Sequence, residues 1–227
     1  MKFLQPVLQR RSFFSAAVAA SAFGSTQLSQ AQAQSPAGHW QPKHHEQDDW
    51  LGKLPGKHRM VFDATTPEGF GYALAYAGNY FIGNAEGYGL KDSDLAVVIV
   101  ARHHATPFAF NDAMWKKYGA KISELSNFTD PRTKSAPTIN LYNLAEDLRL
   151  PNRGGTIDAF INRGVHFAVC QMATRQLADA FAEAVGGKGA DVFKELSANL
   201  VGNSRMVPAG IVAVNRAQER GYTFVNA

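Results

Sequence analysis

Apolar positions follow two rhythms along this chain. Short runs rich in β-branched residues alternate with stretches in which apolar residues recur every three or four positions. Leu95-Ala96-Val97-Val98-Ile99-Val100-Ala101 is the plainest run, and it suits a parallel strand buried on both faces. Val165-His166-Phe167-Ala168-Val169-Cys170 reads the same way, and shorter strands are expected at 58–63 and 222–225. Between them, Thr65-Thr66-Pro67-Glu68 opens a helix: a threonine cap, proline in the first turn, and an acid near the positive end of the dipole. Its spacing continues through Ala73, Leu74, Ala77 and Phe81 and stops near Gly87 or Gly89. Further helices are expected at 107–118, ended by Gly119, then at 156–162, 173–185 and 191–200. A last helix opens at Val207-Pro208-Ala209-Gly210 and runs to Arg220. Strands alternating with helices predict an α/β fold: a parallel sheet with helices on both faces.

Three segments fall outside this rhythm. Residues 127–153 carry Pro131, Pro137 and Pro151 and read as an irregular insertion, with a helical turn expected at 144–148. Residues 34–55 are polar and proline-punctuated and read as a tether that Trp50 and Leu51 dock to the domain at 56–227. Residues 1–33 read as an address. Arg10-Arg11-Ser12-Phe13-Phe14 is followed by a mild apolar stretch and by Ala31-Gln32-Ala33, the small-x-small pattern that a signal peptidase cuts. A twin-arginine export signal and a periplasmic destination are therefore expected. The apolar stretch is shorter than the roughly 20 residues needed to span a bilayer.

The 227-residue chain carries a formal charge of +4. Three of its 23 basic residues and none of its 19 acidic ones lie in 1–33, which leaves 20 against 19 beyond the signal. Near-neutrality disfavours a nucleic-acid partner, which calls for a basic face. No Cys-x-x-Cys-His haem attachment occurs, and Gly186-Gly187-Lys188-Gly189 follows a helix, so it reads as a stop rather than a phosphate loop. No cofactor is implied. His44, His45, Glu46, Asp48 and Asp49 offer metal-ligand types without a recognised zinc spacing, and a metal-binding role is the weakest alternative.

Ligands of parallel sheets bind beyond the carboxyl ends of the strands. That rule selects Asp63, Thr65 and Thr66 after the first strand, Arg102, His103 and His104 after the second, and Cys170 after the third. Cys170 is the chain's one cysteine and, at a helix start, a candidate nucleophile, with His103 or His104 as acid/base. Arg102, Thr65 and Thr66 are candidate anion contacts, although the threonines equally suit helix caps. The alternative for Cys170 is a small buried hydrophobe.

Three stretches carry a resemblance: Val97-Val98-Ile99-Val100-Ala101-Arg102-His103-His104, then Phe167-Ala168-Val169-Cys170, then Val207-Pro208-Ala209-Gly210 leading to Gln218-Glu219-Arg220-Gly221-Tyr222. They resemble the DsrE/DsrF-like family over roughly residues 56–227. The resemblance implies a flavodoxin-like sheet, a trimer or hexamer, and sulfur held as a cysteine persulfide. It further implies a small sulfur compound or a sulfur-donor protein as partner. The rival expectation is a non-catalytic, oligomeric binding or assembly module of the same fold.

Overall fold

The computed structural model describes residues 41–146 and 149–227. The expected export signal, residues 34–40 of the tether and two positions of the expected turn at 144–148 lie outside the described residues. Residues 42–227 form one packed unit.

Its centre is a five-stranded, all-parallel sheet. The strands are β1 (His58–Ala64), β2 (Leu95–Ala101), β3 (Val165–Cys170), β4 (Ser204–Val207) and β5 (Thr223–Asn226), in the spatial order β4-β3-β2-β1-β5. The chain adds four strands in one direction and then returns to the other side of β1. This single reversal defines a doubly wound α/β sheet of flavodoxin-like arrangement.

Alternation along the strands sends residues to two different helical layers. Phe62, Ala64, Val97, Ile99, Val165, Phe167 and Val169 face the thicker layer. That layer holds α2 (Pro67–Tyr88), α3 (Asp112–Ser126), α4 (Ile157–Asn162), α5 (Gln171–Val185) and α6 (Gly189–Ala198). Val61, Val98, Val100, Ala168 and Val207 face the thinner one, built from α7 (Gly210–Gln218) and the five-residue α1 (Asp49–Lys53).

Several elements follow their sequence signals. Thr66 caps α2 by accepting the Gly69 N–H at 2.9 Å, Pro67 occupies the first turn, and Gly89 ends the helix at φ 66°. Gly186, at φ 70°, likewise ends α5. Others correct it. Pro107 lies in a 3-10 segment (His103–Ala109), and α3 begins only after the Asn111 cap, whose side chain accepts from Ala113 N and Met114 N. Gly119 does not end α3. A side chain there would collide with the Pro137 carbonyl, so the glycine admits the insertion against the helix, which continues to Asn127 in the left-handed region. An unexpected strand, β4, ends at Val207, where the last helix was expected to open, and α7 begins at Gly210. A 3-10 turn at Leu141–Asn143 precedes the position of the expected turn.

The insertion is part of the core. Asn140 is 1% exposed, and its amide donates to the Phe108 and Phe110 carbonyls at 2.8 and 3.1 Å. Tyr142 is buried against Phe70, Phe108 and Phe128, and its hydroxyl donates to the Pro67 carbonyl at 2.8 Å. The expected tether is also ordered in part. Leu51 is 1% exposed, and its carbonyl accepts from the Arg59 guanidinium at 2.7 Å and from the Tyr222 hydroxyl at 2.8 Å.

Candidate functional site

The two layers part at the carboxyl rim of the sheet. From β3 the chain turns into α5 on the thick side; from neighbouring β4 it turns into α7 on the thin side. Adjacent strands whose loops leave in opposite directions open a crevice, the usual ligand position in such folds. Cys170 and Val207 are register partners across it.

Three polar residues share this rim because they share strand parity. Asp63 follows Val61, Arg102 follows Val100 and Cys170 follows Ala168, so all three continue the columns that face the thin layer. Asp63 is 2% exposed and receives the Arg102 guanidinium in a two-pronged pair, Nε–Oδ1 at 2.7 Å and Nη2–Oδ2 at 2.8 Å. That hydrogen bonding holds Arg102 above its ordinary pKa against the opposing effect of burial, and the charges of Asp63 and of an ionised Cys170 act in the same direction. Arg102 thus lies within electrostatic reach of the thiol. Gly210, the first residue of α7, is pressed onto it: a Cβ there would stand 2.6 Å from Arg102 Cβ and 2.9 Å from its Cδ. Only a glycine lets the start of α7 close over the Asp63–Arg102 pair.

Cys170 is the N-cap of α5. Its Sγ accepts the Ala173 N–H at 3.5 Å, and its carbonyl accepts the Thr174 hydroxyl at 2.8 Å. It is 7% exposed.

The histidines stand where the chain leaves β2. His103 adopts φ 54°, which turns the chain out of β2, and His103 and His104 meet edge to face with ring centroids 4.0 Å apart. Both are exposed, and they border a cavity with Ala173 and Leu177 of α5 and Leu125 of α3, on the thick side. Burial lowers the His104 pKa, and the neighbouring His103 adds to the effect. Among the described residues no hydrogen bond joins either ring to Cys170, while Arg102 lies within electrostatic reach of the thiol. Thr66 has its hydroxyl engaged as the α2 cap, and Thr65 lies half-buried at the junction of strand and helix. Asp63 emerges as the residue that fixes Arg102. Its sequence signal was an acid at a thin-side position of a strand otherwise buried there.

His44 pairs with Asp49 at 2.7 Å, and among the described residues no group of three or more His, Cys, Asp or Glu side chains is placed to hold a metal. No helix among the described residues is long and apolar enough to cross a membrane.

No family model matches the chain, and no curated protein matches it. Among solved structures it is similar to a protein of unknown function from Methanobacterium thermoautotrophicum, with 13% identity, 75% of this chain and all of that chain covered, and a TM-score of 0.41.

Proposed function

We propose that this chain is an exported sulfur-handling protein that carries sulfane sulfur as a persulfide on Cys170. The observation that carries the reading is the thiol's placement at the start of α5, on the same rim and the same side of the sheet as the Asp63–Arg102 pair. Arg102 offsets negative charge on the sulfur and on an anionic donor; Asp63 is a positioning residue that holds the guanidinium in place. The DsrE-like stretches around Arg102, Cys170 and Gly210 support the same chemistry, and the paired arginines Arg10-Arg11 support export to the periplasm. In that family's manner the chain would work as a homo-oligomer that meets a small sulfur compound or a sulfur-donor protein.

With thiosulfate as donor, the Cys170 thiolate attacks the sulfane sulfur. One S–S bond forms, the donor's S–S bond breaks, and sulfite departs with the electron pair. Charge and electrons balance without a further oxidant. An acceptor thiolate then attacks the outer sulfur of the persulfide and restores the Cys170 thiolate.

The rival reading is a binding or assembly module with an inert cysteine, and the 7% exposure of Cys170 favours it. Mass spectrometry of the folded chain after incubation with thiosulfate or polysulfide separates the two. Carrier function predicts a gain of about 32 mass units per sulfur, localised to Cys170 and reversed by thiols. An unmodified chain under both donors assigns the protein to the second reading.

A further inference from the structure

The cavity beside the two histidines is a second feature of the rim, and it lies on the other side of the sheet from the Asp63–Arg102 pair. Its volume is about 190 Å³, and His103, His104, Leu125, Leu177, Gln176 and Ala173 line it. The lining has one composition inside and another at its edge. Two leucines and two alanines (Ala173 and Ala180) supply apolar contact, no acid or base other than the imidazoles takes part, and the polar groups are two rings and one amide. A void of about 150 Å³ is enough to hold a benzene ring, so the space suits a single-ring ligand. His103 holds φ 54°, the left-handed region, and so turns the chain out of β2. The ring centroids of His103 and His104 lie 4.0 Å apart at the cavity's border.

The geometry points to a binding site for a small carboxylic acid of single-ring size. Its apolar body would lie between Leu125 and Leu177, and its carboxylate would accept imidazole N–H groups from His103 and His104. The inference stands apart from sulfur transfer, since it uses neither the thiol nor Arg102. The two features adjoin through Ala173, which lines the cavity and donates its N–H to Cys170 Sγ.

An NMR titration of the full chain with benzoate, acetate and toluene tests it. Benzoate should shift the His103 and His104 ring signals and the Leu125 and Leu177 methyl signals together and saturably. Acetate, which lacks the ring, should leave the methyls in place, and toluene, which lacks the head, should bind at least tenfold more weakly than benzoate, a difference of about 1.4 kcal/mol. Gln176 is exposed, so Gln176→Trp can cover the opening without touching the core and should abolish the benzoate response. His103→Asn keeps the backbone conformation and removes the ring; it should weaken benzoate severalfold. The proposal is overturned if benzoate behaves as acetate does, or if both variants bind it unchanged. It is also overturned if the methyl signals move with protein concentration alone, which would mean that a second copy fills the space.

Discussion

The two helical layers solve the same packing problem by different means. On the thick side the sheet is covered by bulk: Phe70, Phe108, Trp115, Phe167 and Phe181 are fully buried and pack largely ring against ring. On the thin side one nine-residue helix and one five-residue helix cover the sheet, and small residues such as Ala213 and Ala217 make the contact. Polar clamps make up the difference. Arg59 donates to the carbonyls of Leu51, Gly52 and Leu54, and Tyr222 donates to that of Leu51. Each layer buries polar groups only with partners: Asn140 bonds the Phe108 and Phe110 carbonyls on the thick side, and Asp63 pairs with Arg102 at the rim on the thin side.

The largest expected effect is on the thick side. Trp115→Ala removes a ring 5.2 Å from Phe108 and an indole N–H bond to the Pro107 carbonyl, and should cost about 4 kcal/mol in denaturant unfolding. Next comes the rim. Arg102→Ala leaves the Asp63 carboxylate buried without its partner and should cost about 3 kcal/mol, while the Asp63→Ala/Arg102→Ala double variant should recover much of that loss. Equal costs for the single and double variants would show that the pair is not the source. A clamp is worth less: Tyr222→Phe removes the bond to Leu51 and should cost about 1 kcal/mol. The phenol is also pushed up to about 12 by burial, so it stays a donor throughout the neutral range.

The smallest effect is a pH dependence of the thin side. The His166 ring lies tilted toward Trp50 with centroids 6.5 Å apart, and burial lowers its pKa below the ordinary 6.5, against a weaker opposing bond from Asn203. As pH falls through 6.5 the unfolded chain takes up this proton first. The contribution of His166 is therefore complete above pH 6.5 and is lost below it. Unfolding midpoints measured from pH 7 to 5 should fall less in His166→Gln than in the parent chain.

Much of this division was legible in the sequence. β1, β2 and β3 announce themselves as apolar runs, and the rim residues follow from where those runs end. β4 was not legible, because an edge strand of Ser204, Arg205, Met206 and Val207 buries only its last residue and so carries no run. Gly119 misled because a glycine that admits a crossing carbonyl and a glycine that ends a helix look alike in one dimension. The docked segment around Leu51 was half legible: its apolar pair pointed to a groove, but the clamp by Arg59 and Tyr222 is a long-range contact. The pairing of Asp63 with Arg102 was not legible for a related reason. It joins residues 39 apart in the chain, and only strand parity puts both on one side of the sheet.

Alkylation of the native chain decides whether Cys170 is a usable thiol within reach of Arg102. Iodoacetamide should modify Cys170 in the folded protein without denaturant, and Arg102→Met, with its fold verified, should slow the reaction severalfold. A thiol that reacts only after the chain is unfolded, at a rate indifferent to residue 102, would contradict the carrier reading.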